Sequence, residues 1–280
     1  MKYLLSSAVF MLMVSIGMSL NCAQLAGNWR RLTPTIWGKL LLATFIVPPL
    51  LVMAIGHILP FGRAATAGLY LIAVSPGAPL MTRGVAKRGF DMQMAASYQV
   101  WGALMIPIMI PLLVAAAGWF YGREIWIPPM QLLAVIGKQQ FAPLLTGAVL
   151  MHLAPGFSTK VRHALNLLGN VVLTAALIAL LFKMGPALKA VSPWVAIAAI
   201  LLAVGCMAAG RLLLTSRTTA VQTLAISNVN RHVGLAVLLS GQHIHDPRTL
   251  PAIAAYALAA PPVMFFYAKF VPHQEKKGVS

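Results

Sequence analysis

The sequence predicts an all-α integral membrane protein. Of its 280 residues, 60% are hydrophobic and only 9% are charged, a balance that a soluble domain of this length does not need. Nine apolar stretches each approach the roughly 20 residues that a helix needs to cross a hydrocarbon core. Two of these stretches, in matching places of the two halves, are interrupted near their middle.

The nine predicted spans are the apolar runs between charged, glycine or proline residues. They lie at about 3–22, 36–58, 65–86, 91–118, 129–153, 163–183, 191–214, 218–241 and 249–270, and a tail at 271–280 follows them. The first run covers about 18 residues and is followed by Arg30 and Arg31, whereas the core of a signal peptide has about 7–15 residues. We therefore expect this first helix to be retained.

The basic residues predict how the chain is oriented. Of the 21 Lys and Arg residues, thirteen lie on one side of the predicted membrane and six on the other. The larger group is distributed around Arg30, Lys87, Lys160, Arg211 and Lys276. Because Lys and Arg accumulate on the cytoplasmic side, we expect the N-terminus outside and the C-terminus in the cytoplasm. The compact chain favours a prokaryotic inner membrane.

The formal net charge of +17 is spread singly along the membrane edges, and no basic soluble module accompanies it. The lipid bilayer is therefore the expected partner, and nucleic acid is not. Cys22 and Cys206 lie far apart, each in or beside a span, and support neither a disulfide framework nor a metal site.

The four acidic residues all fall in loops or at span ends. They are Asp91, Glu124, Asp246 and Glu275. A hydrolase or protease would need paired acids or a metal cluster, so we do not expect an enzyme. The usual proton carrier of pumps and symporters is also missing from the membrane centre.

The two interruptions lie at residues 75–79 (SPGAP) and 227–232 (SNVNRH). A helix broken inside the bilayer frees backbone groups that must be bonded again, so such breaks persist mainly where they line a substrate or ion site. One break in each half is typical of a secondary transporter.

Several motifs resemble those of the bile acid:sodium symporter superfamily. Residues 68–79 (GLYLIAVSPGAP) resemble its Pro-Gly break, and residues 230–236 (NRHVGLA) resemble its second break, QNSGLA. Supporting pieces are residues 16–20 (IGMSL) and the pair Pro143 and Gly147. The resemblance runs from the first predicted helix to the last, and the order and spacing of the motifs are more specific than any one of them.

This resemblance implies two inverted repeats, a panel domain and a core domain, and two broken helices that cross in the core. The panel would be about 3–22 and 129–183, and the core about 36–118 and 191–270, within one transmembrane transporter domain. Substrate would bind between panel and core and be exchanged by rigid-body movement. The chain resembles the nine-helix kind, whose first repeat lacks a helix.

The sodium ligands of the family are altered here. Where sodium-coupled members have a glutamate and, four residues later, a glutamine, this chain has Ser227 and Arg231. The hydroxyl and amide positions of the other sodium site fall near Thr82, Ala95 and Gln99. An acidic ligand is absent and a fixed cation is present, so the resemblance does not imply sodium coupling for this chain.

Arg231 must have partners, because a guanidinium stays charged and costs about 2.5–3.5 kcal/mol near a helix centre on insertion scales. One interpretation is a tethered cation that fills the vacated sodium site and bonds to backbone carbonyls, Ser227 or Asn228. The other is a ligand for a substrate carboxylate, which the planar fork of donors can bind. Both interpretations stay open from the sequence.

Two further polar residues are ambiguous. His232 can titrate near neutral pH, but a hydrogen-bonding role is the simpler interpretation beside a fixed positive charge. Lys138, inside the fifth span, either extends to the interface or faces the cavity between panel and core as a second positive group.

The sequence therefore predicts a secondary active transporter of a small or amphipathic organic anion, working by alternating access. The alternatives are a non-transporting membrane sensor that keeps the crevice, and a sodium-coupled symporter with altered ion ligands. No cofactor is expected other than Na⁺ under that second alternative. The predicted substrate-binding residues are Pro76, Gly77, Ala78, Pro79, Asn228, Asn230, Arg231 and His232. The predicted ion-binding residues are Thr44, Thr82, Gln99 and Ser227.

Overall fold

The computed structural model describes residues 2–19, 34–76, 92–121, 127–183, 192–213, 219–244, 246 and 248–270. These residues form helices and connecting turns, with no strand among them. The helices are α1 (Lys2–Met18), α2 (Pro34–Ile58), α3 (Arg63–Ala73), α4 (Met92–Tyr121), α5 (the consecutive segments Pro129–Ile136, Gly137–Phe141 and Ala142–Leu153), α6 (Pro155–Lys183), α7 (Pro193–Leu213), α8 (Thr219–Val229), α9 (Val233–His243) and α10 (Thr249–Phe270).

The predicted all-α membrane architecture is confirmed. Stretches in α2, α4, α5, α7 and α10 are each long and apolar enough to cross a membrane. α6 begins at Pro155, ahead of the predicted start at residue 163, because its first two turns continue the apolar helix with polar residues. The total of nine spans stays a prediction, and the tail at 271–280 lies outside the described residues.

Two helices, α2 and α5, each contain a π-helical turn. The turn in α2 is Leu42–Ile46 and the turn in α5 is Gly137–Phe141. Each turn ends two positions before a proline, Pro48 in α2 and Pro143 in α5. π-turns hold an extra residue per turn and occur frequently at functional sites.

The helices pack in two groups. α1 packs against α5 and α6. In the other group, α10 packs against α3 and α7, and α7 packs against α2 and α8. α4 contacts α5 of the first group and α8 of the second, while α9 contacts α1, α3 and α10. The boundary between the groups therefore passes along α4 and α9.

Gly17 of α1 and Gly147 of α5 allow these two helices to approach closely. A Cβ atom at Gly17 would overlap the carbonyl oxygen of Leu144, and one at Gly147 would overlap that of Val14. Small residues permit this approach in membranes, where packing rather than water exclusion drives helix association. Both glycines belong to motif pieces on which the family resemblance was based.

Candidate functional site

The chain at the end of α3 meets the break between α8 and α9 backbone to backbone. Pro76, just after the end of α3, pairs with Arg231 in a short antiparallel bridge. The His232 amide donates a 2.7 Å hydrogen bond to the carbonyl oxygen of Ser75. The bridge gives partners to backbone groups that the two breaks release, as a polar chain inside a bilayer requires.

Local bonds terminate the helices on both sides of the second break. The Asn230 amide donates to the Ser227 carbonyl at 3.1 Å, which closes the last turn of α8. The Tyr256 hydroxyl donates a 2.7 Å bond to the carbonyl oxygen of Val229, the last residue of α8. His232 caps α9, because its Nδ1 accepts a 3.0 Å bond from the Leu235 amide. In this arrangement Nδ1 is an acceptor and the imidazole is neutral.

Arg231 lies buried at the crossing, with only 2% of its surface exposed. Its Nη1 donates to the carbonyl oxygens of Thr44 (2.7 Å) and Ala73 (3.2 Å). Its Nη2 donates to Asn228 Oδ1 (3.1 Å) and lies 3.5 Å from Cys206 Sγ. Ala73 is the last residue of α3, so the guanidinium also lies at the partially negative end of that helix.

Asn228 joins the same cluster from α8. Its Nδ2 donates to the carbonyl oxygens of Ala43 (2.9 Å) and Cys206 (2.8 Å). Its Oδ1, which binds Arg231, also accepts a 3.3 Å bond from the Tyr98 hydroxyl. Thr44 Oγ1 lies 3.3 Å from the same hydroxyl. One amide side chain thus connects α2, α4, α7 and α8.

Pro48 and Pro49 explain why α2 offers two carbonyls to these side chains. Pro48 has no amide hydrogen, so the Thr44 carbonyl lacks its usual helical donor four residues later. The Val47 amide is used by Leu42 in the π-turn, which leaves the Ala43 carbonyl without its donor as well. Arg231 and Asn228 donate to these two carbonyls. No role of the proline pair was predicted from the sequence.

No carboxylate among the described residues approaches Arg231. Of the four acidic residues only Asp246 is described, and it lies between α9 and α10. Asp246 Oδ2 accepts a 2.7 Å bond from Arg248 Nη2. The hydrogen bonds from Arg248 hold the pKa of the Asp246 carboxyl below its usual value. Within the described part of the chain, the positive charge of Arg231 is therefore dispersed by neutral oxygens.

Four predicted site residues, together with Ser75 at the first break, are buried and have a side-chain atom left unbonded. These atoms are Ser75 Oγ, Gln99 Nε2, Ser227 Oγ, Arg231 Nε and His232 Nε2. Asn230 is half-buried, and Pro76 is buried in the bridge. Gln99 lies one turn before Ala103, which packs with α1 and α5, so it belongs to the boundary between the helix groups. Gly77, Ala78, Pro79 and Thr82 lie outside the described residues.

The structure brings Thr44, Asn228 and Arg231 into one cluster, and adds residues that the sequence did not single out. These are Tyr98, Cys206, Tyr256 and Pro48. Cys206, for which the sequence supported neither a disulfide framework nor a metal site, contacts the guanidinium. Lys138 has an exposed side chain, whereas the adjacent Gln140 is buried.

This fold defines the class: an all-α integral membrane protein, in which the end of α3 meets the break between α8 and α9 in the interior. The chain belongs to the sodium bile acid symporter family, which it matches over residues 7–191. Members of this family are solute transporters. The match runs from α1 to α6 and ends before the second break. A search of curated proteins finds no match to the chain.

Proposed function

We propose that this protein is a secondary active transporter that moves a small or amphipathic organic anion by alternating access. The crossing of the two breaks, with Arg231 at its centre, is the observation on which the proposal rests. A bonded crossing of this kind creates a polar site inside an otherwise apolar protein.

The moving parts would be the two helix groups. α1, α5 and α6 correspond to the proposed panel, and α2, α3, α4, α7, α8, α9 and α10 to the proposed core. The packing supports this division, because contacts are extensive within each group and run mainly along α4 and α9 between them. Solute would bind at that boundary, near Gln99, Asn230 and His232.

We assign Arg231 the role of an internal cation that replaces sodium at the crossing. Both of its terminal nitrogens bond to the protein's own atoms, and three of their partners are oxygens. Backbone carbonyls and an amide oxygen are also ligands that a small cation accepts. Transport would then need no sodium at this position.

The organic-anion specificity follows from the same residue. Arg231 has no carboxylate partner among the described residues, and such a buried positive charge attracts an anion over several ångströms, because the surrounding dielectric constant is low. In this arrangement Arg231 contributes a positive electrostatic potential at the solute site, while its guanidinium group stays hydrogen-bonded to Thr44, Ala73 and Asn228. The proposed location is a prokaryotic inner membrane, with the N-terminus outside.

Thermal unfolding of the purified protein tests this function. The probes are acetate, pyruvate, cholate and the uncharged methyl ester of cholate, each in sodium and in choline buffer and below micelle-forming concentrations. A ligand that prefers the folded state raises the melting temperature. We expect at least one carboxylate to stabilise the protein equally in both buffers, and the ester to fail.

Three variants separate the roles of Arg231. Arg231→Lys keeps the positive charge but lacks the planar guanidinium group, so it should retain a preference for the carboxylate over the ester. Arg231→Ala should lose that preference, and Arg248→Ala, a surface control, should keep it. Stabilisation that requires sodium in the unsubstituted protein would contradict the internal-cation role, and uptake of neutral solutes alone would contradict the organic-anion function.

A further inference from the structure

The π-turn of α5 repeats the geometry of the π-turn in α2. In α5 the Ala142 amide donates to Gly137, and Pro143 has no amide hydrogen. The carbonyls of Lys138 and Gln139 therefore lose their usual helical donors, as those of Ala43 and Thr44 do in α2. The spacing from π-turn to proline is the same in both helices.

The two turns differ in what occupies the released carbonyls. In α2 the side chains of Asn228 and Arg231 donate to them. Within the described residues, no side chain donates to the carbonyls of Lys138 or Gln139. The Lys138 carbonyl, which has Pro143 five residues later and whose usual donor Ala142 is used by Gly137, is thus open to a donor that is not part of the described chain.

Gln140 adds a second, independent observation at the same turn. It is 1% exposed, and neither its Oε1 nor its Nε2 has a hydrogen-bond partner. The adjacent Gln139 is bonded, because its Oε1 accepts a 2.7 Å bond from Ser6 Oγ. A buried amide with both atoms unbonded is costly, and it is most simply explained by a ligand that bonds to it in another state.

The position of Gln140 agrees with contact to solute. It continues the buried stripe of Leu132, Ile136 and Leu144 on α5. Leu144 packs with Val100 of α4 and with α1 residues, and the π-turn contacts both α1 and α4. Gln140 therefore lies on the α5 side of the boundary between the helix groups, and its neighbours on that side are apolar.

We propose that Gln140 and the π-turn of α5 form a specificity site for a hydroxyl-bearing part of the transported solute. This inference rests on the proposed transport function. A hydroxyl can donate to the Gln140 Oε1 or to a released carbonyl, and can accept from the Gln140 Nε2. A solute that lacks the hydroxyl leaves these groups unbonded, so it is discriminated against.

The test measures the melting temperatures of Gln140→Leu and of the unsubstituted protein. The added solutes form two pairs whose first member carries one more hydroxyl: lactate with propionate, and cholate with deoxycholate. Without solute, Gln140→Leu should raise the melting temperature, because an apolar side chain of similar size replaces an unbonded amide. It should also lower the preference for the more hydroxylated partner about tenfold. Gln139→Leu is the neighbouring control, which should keep the preference and lower the melting temperature through loss of the Ser6 bond.

Thiol labelling in membranes supplies a measurement that needs no solute. A cysteine introduced by Gln140→Cys should react with a water-soluble maleimide, above the background of Cys22 and Cys206, because the boundary opens to water during the transport cycle. Leu132→Cys, on the same stripe but packed in an apolar cluster, is the control and should react at least tenfold more slowly.

Three results would overturn the inference: a lower melting temperature for Gln140→Leu without solute, an unchanged hydroxyl preference, or no labelling at position 140. If none of the probes binds the unsubstituted protein, the proposed function loses its support. In that case two results still test the α5 turn. The labelling of Gln140→Cys tests whether position 140 is reached by water, and the melting temperature of Gln140→Leu without solute tests whether the Gln140 amide is unbonded.

Discussion

The guanidinium of Arg231 donates a 2.7 Å hydrogen bond to the carbonyl oxygen of Thr44, which Pro48 leaves without its helical donor. The two residues are 187 positions apart in the chain. The cation and the acceptor each carry a cost in a membrane: a charge removed from water, and a carbonyl without a partner. Their contact reduces both costs and joins α2 to the second break.

Arg231→Ala should lower the free energy of unfolding by about 3–5 kcal/mol, because it leaves the buried oxygens of Thr44, Ala73 and Asn228 unbonded. The cavity matches a free guanidinium ion in shape and in donors. Low millimolar guanidinium should therefore raise the melting temperature of this variant. The measurement is a melting curve against guanidinium concentration, with choline as the inert cation.

Two controls accompany this rescue. The unsubstituted protein, whose cavity is filled, should be slightly destabilised by guanidinium. Arg248→Ala removes a surface guanidinium paired with Asp246, so its stability should change by less than about 1 kcal/mol and show no rescue. Equal responses of Arg231→Ala and Arg248→Ala would show that the crossing holds no cavity for the ion.

Pro48→Ala should have opposite effects in two backgrounds. It supplies an amide hydrogen to the Thr44 carbonyl. With Arg231 present, the new donor competes with the guanidinium and should lower stability. With Arg231→Ala, it bonds an otherwise orphaned carbonyl and should recover part of the loss. A double-mutant cycle on the unfolding free energies should give a coupling of about 1–2 kcal/mol, and additive effects would contradict the shared acceptor.

The double variant S227E/R231Q should gain a response to sodium. It introduces the acidic and amide residues that the family resemblance implies for these positions in sodium-coupled members, and it retains the released carbonyls of Ala43 and Thr44. Sodium should then raise its melting temperature relative to choline, with no such difference in the unsubstituted protein. The single variant R231Q, which lacks the acid, should respond more weakly. A double variant that is indifferent to sodium would show that the second break cannot form the ion site.

The fold could be predicted because membrane helices are long apolar runs that are easily recognised in the sequence. α4, α7 and α10 follow apolar runs that were predicted within a few residues of their observed bounds. The second break was also visible, since residues 227–232 place polar side chains inside an apolar run. The π-turns were not predicted, because a single extra residue in a helix changes the hydrophobic period too little to be read from one sequence.

The partners of Arg231 could be predicted only by kind. The absence of a carboxylate inside the spans indicated backbone carbonyls or Asn228, and both are observed. Which carbonyls they are depends on the tertiary packing of α2 against α7 and α8. Pro48 and Pro49 were given no role from the sequence, because the release of the Ala43 and Thr44 carbonyls is recognised only once the position of Arg231 is known.

Gly147→Ala should destabilise the protein by about 2–4 kcal/mol. The added methyl group overlaps the Val14 carbonyl, which is backbone and cannot rotate away, so α1 and α5 must separate. Gly38→Ala is the matched control in α2, where a Cβ atom meets nothing within 4 Å. There the substitution should stabilise by about 0.5–1 kcal/mol, because alanine loses less backbone freedom on folding. Melting temperatures of the two variants check both signs, and a Gly147→Ala protein as stable as Gly38→Ala would show that α1 and α5 are not in close contact at this position.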